Sequence, residues 1–281
     1  MPDKLELAAT ARRVRASVVR MAHDGKAPHV GSALSCVDLL VALYFYAMKN
    51  DPAEPSAPER DRFVLSKGHG CTAHYAALAE RGYFPKSVLS EYAQDGGRLA
   101  EHPSRASVPG IDVATGSLGH GLPIAAGMAL SAKMRGQTHR TYALLSDGEC
   151  LEGSVWEAAI FAAARHLDNL VVIVDFNRWS AMARTDTLLE PLAVKWTAFG
   201  WLAREVDGHN LSDIVEALVS VPAVPGRPTA IIARTVKGKG VSFMEDDLEW
   251  HYRPPSAEDL ARALEEIGAG GQGLPSGRSS A

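Results

Sequence analysis

The stretch LLSDGECLEGSVWEAAIFAAARHLDNLVVIVDFNRW, residues 144–179, belongs to two apolar segments joined by a helical pattern. The first segment, Tyr142 to Leu145, ends at Ser-Asp-Gly, and the second, Leu170 to Val174, ends at Asp-Phe-Asn. Short, partly β-branched runs between turn formers are typical of buried strands. The helical period between them is carried by Trp156, Ile160, Ala163, Ala164 and Leu167. This region therefore predicts a βαβ unit.

The polar residues that follow these two strands form a candidate ion site. A right-handed crossover places the strands parallel, so Asp147 and Asn177 leave the same carboxyl edge of the sheet. The Asp147 carboxylate, the Asn177 amide oxygen and the main-chain carbonyl of Trp179 are ligands that suit Mg²⁺. Gly148 leaves room for a diphosphate near backbone N–H groups. Taken alone, such an Asp/Asn pair is more often a solvated loop, so the metal hypothesis depends on the longer pattern.

The composition is that of a globular α/β protein. The chain has 281 residues, 46% of them hydrophobic, which is enough for one large domain. A net charge of −4 predicts neither a nucleic-acid nor an anionic membrane partner. The amino terminus has no apolar signal core and no run reaches the length of a membrane span, so we expect a cytoplasmic protein. Three scattered cysteines predict neither a disulfide framework nor a zinc site.

Strand and helix patterns alternate along the rest of the chain. Further strands are predicted over residues 62–65, 201–206 and 229–234. Helices are predicted over residues 5–23, 36–46, 72–81, 86–93, 122–134, 192–199, 212–221 and 257–267. The alternation predicts a doubly wound, mostly parallel sheet with helices on both faces, within one domain over residues 1–267. The Gly- and Ser-rich residues 268–281 predict a disordered tail.

Four histidines lie in irregular segments beside small or turn-forming residues. They are His29 in Ala-Pro-His-Val-Gly-Ser, His69 in Ser-Lys-Gly-His-Gly, His102 in Glu-His-Pro, and His251. A single histidine of this kind is more often solvated than functional. No His-x-x-x-His spacing indicates a metal site built from histidines.

A family resemblance joins these motifs. Asp-Gly-Glu-Cys-Leu-Glu-Gly, Trp-Glu-Ala-Ala and Leu-Val-Val-Ile-Val-Asp-Phe-Asn resemble the thiamine diphosphate fingerprint of the transketolase family, in a short form that covers its amino-terminal half. The resemblance runs from about residue 10 to residue 255 and implies a thiamine diphosphate-binding fold. It also implies roles for individual residues: active-site histidines at His29, His69, His102 and His251, cofactor contacts at His69, Gly116, Ser117, Leu118, Gly148, Glu152 and Asn177, and metal ligands at Asp147, Asn177 and Trp179. Glu152 matches an acid at the subunit contact.

The sequence also departs from the family pattern. Ser146 stands where the family usually has Gly, and Phe176 replaces the commoner Asn. Residues 180–182, Ser-Ala-Met, differ from the usual polar continuation, which leaves the third metal ligand open. Tyr252 follows His251 in place of the frequent Gly.

The resemblance implies the amino-terminal subunit of a split transketolase that moves a two-carbon ketol unit from a ketose, or its phosphate, to an aldose. It implies thiamine diphosphate with Mg²⁺, for which Ca²⁺ or Mn²⁺ would substitute. A carboxy-terminal partner subunit, in an α2β2 assembly, would supply the glutamate that activates the cofactor. Three alternatives stay open: a 2-oxo acid dehydrogenase subunit, a deoxyxylulose phosphate synthase, and a non-catalytic relative that binds a partner. A transketolase for an unusual sugar is also open.

Overall fold

The core of the fold is a parallel sheet. In the computed structural model, which describes residues 4–268, five strands pair in the order β1-β2-β3-β5-β4. All four strand pairs are parallel. The strands are β1 (Arg62–Leu65), β2 (Thr141–Ser146), β3 (Leu170–Phe176), β4 (Leu202–Asp207) and β5 (Thr229–Arg234). The predicted βαβ unit is confirmed, because β2 and β3 are adjacent and Ser146 pairs with Asp175.

Helices cover both faces of the sheet. They are α1 (Lys4–Asp24), α2 (Val30–Ser35), α3 (Val37–Ala42), α4 (Cys71–Arg81), α5 (Gly121–Met134), α6 (Gly153–Ala164), α7 (Asp186–Leu189), α8 (Leu192–Ala198), α9 (Leu211–Val219) and α10 (Ala257–Ile267). Successive side chains of β2 alternate between two apolar cores: Tyr142 and Leu144 lie in one, Ala143 and Leu145 in the other. This alternation is the period of a strand that is buried on both faces. The doubly wound α/β architecture predicted from the sequence is confirmed.

The amino-terminal part of one predicted helix is different in the structure. The helix expected over residues 36–46 is preceded by α2, continues as α3 and ends in a π-helical turn at Leu43–Ala47. All six residues of α2 are buried, so the helix has no polar face and its sequence shows no amphipathic period. Residues Lys86–Glu91 form a 3₁₀ turn where a longer helix is predicted. The short α7 is not predicted.

The carboxy-terminal helix ends at Gly268, whose φ of 77° caps α10 in the left-handed conformation. Residue 268 therefore terminates a helix, and residues 269–281 of the predicted tail lie outside the described residues. Within residues 4–268, none of the helices combines the length and the apolar character needed to cross a membrane.

Candidate active site

The candidate site lies where four strands end. β1 leads into Ser66 and Lys67, β2 into Asp147, β3 into Asn177 and β5 into Thr235. Carboxyl ends of parallel strands meet at one edge of the sheet, where open α/β proteins bind ligands. The edge therefore brings together residues that are far apart in the chain.

The four predicted histidines form one cluster, hereafter the four-histidine cluster (His29, His69, His102 and His251). The ring centroid of His29 lies 4.8 Å from that of His251, 5.5 Å from His69 and 5.9 Å from His102. The His69 and His251 centroids are 5.6 Å apart. The structure thus brings these side chains together, while their catalytic roles stay predictions.

The backbone of His29 has an unusual conformation. Its φ of 73° and ψ of 11° lie in the left-handed region, which is uncommon for residues other than glycine. The His29 N–H donates to the carbonyl of His251 at 3.0 Å. Strained backbone that the surrounding structure holds in place clusters at functional sites. Here it joins the start of α2 to a segment more than 200 residues later in the chain.

The rings of His29, His69 and His251 are held neutral. Burial, followed by the nearby His102 and the lysines, lowers the pKa of His29 to about 4. Burial and Lys237 lower the pKa of His251 to about 3, and burial and Lys67 lower the pKa of His69 well below its usual value. A neutral imidazole can accept a proton at one nitrogen while the other donates. Around pH 7 these three rings can therefore accept protons and hydrogen-bond to hydroxyl groups.

Two buried lysines near this cluster are absent from the sequence prediction. Lys67 and Lys237 have no exposed surface. The Lys237 ammonium donates to His251 Nδ1 at 3.1 Å, and burial, followed by the charge of Lys67, lowers the Lys237 pKa to about 8. Each lysine follows a strand end and precedes a glycine, in Ser-Lys-Gly and Val-Lys-Gly. That context was a usable signal, since such turns point toward the sheet edge.

The two predicted side-chain metal ligands lie in neighbouring turns. Asp147 is fully buried, and its carboxylate accepts hydrogen bonds from the Gly148 N–H at 2.9 Å and the Arg178 N–H at 2.6 Å. Thr185 Oγ1 also donates to it, at 2.6 Å. Burial raises the Asp147 pKa to about 7 in spite of these donors. A buried carboxylate of this kind is favoured in its charged form by a nearby cation.

The donor set suits a hard cation. Across residues 4–268, no group of three or more His, Cys, Asp or Glu side chains has the arrangement needed to hold a metal. The predicted site instead uses one carboxylate, one amide oxygen and a main-chain carbonyl, and oxygen ligands of this kind suit Mg²⁺, which keeps several waters and substrate phosphates. Asn177 is 2% exposed, and its Oδ1 accepts from the Trp179 N–H at 3.0 Å. The residues present therefore fit a magnesium diphosphate.

Two glycines among the predicted cofactor contacts lie close to other parts of the protein. A Cβ added at Gly148 would lie 3.2 Å from both Cα and Cβ of Ser180, so Gly148 is confined by the segment that follows Asn177. Gly116 has a φ of 146°, and a Cβ there would lie 2.9 Å from His102 Cδ2. Gly116 therefore packs directly against His102 of the four-histidine cluster, and the cofactor contacts of residues 116–118 stay a prediction.

The two acids of the Asp-Gly-Glu-Cys-Leu-Glu motif have different positions. Glu152, the predicted subunit-contact residue, is exposed and lies against Gly119. A Cβ added at Gly119 would lie 2.7 Å from the Glu152 Cβ. Glu149 is fully buried, and it accepts from the Gly119 N–H at 2.8 Å and from Ser66 Oγ at 2.5 Å. The sequence prediction names the exposed acid and omits Glu149, which connects the cofactor loop to the strand ends.

Residues 178–185, which follow Asn177, form a strap whose two ends hydrogen-bond to Asp147. Trp179 and Arg184 form an antiparallel bridge, and the Trp179 indole N–H donates to Asp246 Oδ1 at 2.8 Å. The Arg184 guanidinium lies 4.8 Å from the Trp179 ring centroid and pairs with the same aspartate. The Trp179 backbone is thereby held next to Asn177, in keeping with its predicted carbonyl ligand.

Comparison with known proteins connects this geometry to one family. The profile described as "Transketolase, thiamine diphosphate binding domain" matches residues 6–272. The chain is 42% identical over 267 residues to an apulose-4-phosphate transketolase subunit of Actinobacillus succinogenes, covering 94% of this chain and 96% of that protein. It is 45% identical over 241 residues to the 6-deoxy-6-sulfo-D-fructose transketolase subunit SqwG of Clostridium sp., covering 85% and 88%.

A solved structure shares the fold. The transketolase from Leishmania mexicana matches with a TM-score of 0.89 and 31% identity, over 95% of this chain and 42% of that chain. The chain therefore spans about two fifths of that solved transketolase, whereas it spans most of the length of the two subunit relatives.

Proposed function

Because this chain belongs to the transketolase family and folds as its thiamine diphosphate-binding domain, we propose that it is the amino-terminal subunit of a two-chain transketolase. The enzyme moves a two-carbon ketol unit from a ketose to an aldose. The observation that carries the proposal is the four-histidine cluster, in which the ring centroids of His69, His102 and His251 each lie within 6 Å of the His29 centroid.

The cofactor is thiamine diphosphate, held with Mg²⁺. The Asp147 carboxylate, the Asn177 amide oxygen and the Trp179 carbonyl hold the metal, and Ca²⁺ or Mn²⁺ substitutes for it. Gly148, His69 and the loop of residues 116–118 contact the cofactor. When bound, thiamine diphosphate supplies the carbanion chemistry that carries the two-carbon unit. The support for this assignment is the buried, oxygen-rich donor set of Asp147 and Asn177.

The histidines serve the sugar. Cleavage between the second and third carbons of a ketose requires removal of a proton from the third hydroxyl, and addition to an aldose requires its return. Neutral imidazoles perform both transfers and also donate to sugar hydroxyls and to a developing alkoxide. His29 and His251 are neutral around pH 7 and lie next to each other, which supports a shared role in this proton transfer.

A carboxy-terminal subunit completes the site. It supplies the glutamate that activates the cofactor, in an α2β2 heterotetramer. Two relatives named as transketolase subunits match this chain over most of their own length. The exposed Glu152 and the exposed apolar side chains Ile160 and Phe161, all near or on α6, are surface that a partner would cover.

The substrates are sugars or sugar phosphates. Ketose and aldose phosphates of the pentose phosphate type are the first candidates. The similar proteins are named for apulose 4-phosphate and for 6-deoxy-6-sulfo-D-fructose, which favours a less common sugar as the second candidate. We place the reaction in the cytoplasm, in keeping with three cysteines that are buried and free of disulfides.

The test combines this chain with its carboxy-terminal partner, thiamine diphosphate and Mg²⁺, and follows two-carbon transfer from a ketose phosphate to an aldose phosphate. We expect activity in the mixture and none with either chain alone. Asp147→Ala should abolish metal-dependent cofactor binding and transfer. A stable complex that binds the cofactor but decarboxylates a 2-oxo acid in place of transferring a ketol unit would contradict the proposal.

A further inference from the structure

A buried polar network lies next to Asn177. The Asp175 carboxylate, in β3, is fully buried and pairs with the fully buried Lys67 ammonium. Ser35 Oγ, on α2, donates to Asp175 Oδ2 at 2.5 Å, and Thr235 Oγ1 donates to Oδ1. Lys67 also donates to the Ser32 carbonyl at 2.8 Å. Buried ion pairs are tolerated when further hydrogen bonds satisfy their remaining atoms, and this one is so satisfied.

The network determines how the Ser35 hydroxyl is used. A hydroxyl has one proton to donate and lone pairs that accept. The two acceptors near Ser35 Oγ are Asp175 Oδ2 at 2.5 Å and the Ser32 carbonyl at 3.0 Å, so the proton is donated to one of them. Oγ is then available only as an acceptor toward any third neighbour. That neighbour is Asn177 Nδ2, at 3.3 Å.

The other end of the Asn177 amide is constrained as well. Its Oδ1 accepts from the Trp179 N–H at 3.0 Å. Rotating the amide by half a turn would place its NH₂ group against the Trp179 N–H and its oxygen against the lone pairs of Ser35 Oγ. Both contacts would then be repulsive, so only one orientation is compatible with Ser35 and Trp179 together.

From this geometry we infer that Ser35 is a positioning residue for the metal site: it fixes the Asn177 amide with its oxygen toward the ion, and the Lys67–Asp175 pair holds Ser35 in that role. This inference rests on the proposed function, in which Asn177 Oδ1 binds Mg²⁺. Magnesium demands near-ideal octahedral geometry, so a misdirected ligand weakens it strongly. Loss of a residue that orients a metal ligand typically lowers metal affinity by about 10- to 100-fold.

The experiment measures the Mg²⁺ dissociation constant of the two-chain complex at saturating thiamine diphosphate, by calorimetry and by tryptophan fluorescence. Ser35→Ala should raise that constant by about tenfold or more, and Ser35→Thr, which keeps a hydroxyl, should recover most of the affinity. Thr235→Val is the matched control, because it removes a hydrogen bond from the same Asp175 carboxylate without contact to Asn177. The control should leave the Mg²⁺ affinity within about threefold of wild type.

The possible outcomes separate the inference from the proposed function. Wild-type complex without Mg²⁺-dependent cofactor binding would overturn both. Normal wild-type binding with equal affinity in Ser35→Ala would overturn the role of Ser35 and leave the metal assignment standing. An equal loss in Thr235→Val would also overturn it, since the effect would then not depend on the contact between Ser35 and Asn177. A measurement on wild type does not depend on folding of a variant: the Asn177 NH₂ protons should be protected from hydrogen exchange, and rapid exchange would contradict the inference.

Discussion

Replacing Asp147 with asparagine should remove a pH-dependent loss of stability from the metal-free protein. Burial raises the Asp147 pKa to about 7, from 3.8 for the unperturbed group. The folded chain therefore prefers the protonated carboxyl. The stabilisation that this preference gives to the folded state is complete below pH 3.8 and is lost as the pH rises to about 7. Asparagine carries no charge at any of these pH values, so the stability of the variant lacks this dependence on pH.

The size of the effect follows from the two pKa values. Each unit of difference corresponds to about 1.36 kcal/mol. With pKa values of about 7 folded and 3.8 unfolded, the stability of Asp147→Asn relative to wild type should increase by about 2.5 kcal/mol between pH 5 and pH 8. The histidines with lowered pKa values act in the opposite direction, since they favour folding as the pH rises through their usual range. They are present in both proteins, so the difference isolates Asp147.

The assay is urea unfolding of the full chain in EDTA at several pH values, for wild type and Asp147→Asn. The part of the stability difference between the two proteins that does not change with pH is set by hydrogen bonds. The Arg178 N–H and Thr185 Oγ1 both donate to one Asp147 oxygen, and an amide NH₂ at that position cannot accept them. The result to compare is therefore the change with pH. Mg²⁺ with thiamine diphosphate should then stabilise wild type most at high pH and leave the variant unchanged. Parallel pH profiles for the two proteins would refute the reasoning.

Two further predictions concern the cofactor turn and the histidines. Gly148→Ala would place a Cβ 3.2 Å from Ser180. We expect the affinity for thiamine diphosphate to fall by about tenfold, or ~1.4 kcal/mol, with an unchanged melting temperature. Unaltered affinity in calorimetry would contradict the close approach of Gly148 to Ser180 as a requirement of cofactor binding. Lys237→Met should raise the His251 pKa from about 3, because the lysine is one of the causes of its depression. NMR titration of the His251 ring checks this, with Lys239→Met as the matched control, and equal titration curves would contradict the role of Lys237.

Much of the site was accessible from local sequence. The sequence predicts the position of the residues that follow β2 and β3 because a βαβ unit determines its own geometry: two short apolar runs and one helix leave Asp147 and Asn177 at the same edge. The sequence pattern does not predict α2 for a physical reason: a helix that is buried on every side has no periodic polar face. Ser32 and Ser35 of α2 therefore lie outside every helix that the sequence predicts, although both take part in the buried network.

The two buried lysines are a second feature that local sequence does not predict. Lysine is rarely buried, so Lys67 and Lys237 in glycine-flanked turns would ordinarily be assigned to solvent. Lys67 is buried because Asp175, 108 residues later in the chain, lies in β3 on the far side of β2 and pairs with it. Such pairing depends on the strand order, which no local pattern reports.

The sequence pattern of this protein predicts its local structure: the strands, most of the helices, the βαβ unit and the turns that carry polar side chains. These follow from side-chain periodicity and turn chemistry over a few residues. The convergence of His29, His69, His102 and His251, and the orientation of Asn177 by Ser35, arose only when the sheet assembled. They depend on contacts between segments up to 222 residues apart, from His29 to His251, because burial and distance are properties of the packed fold.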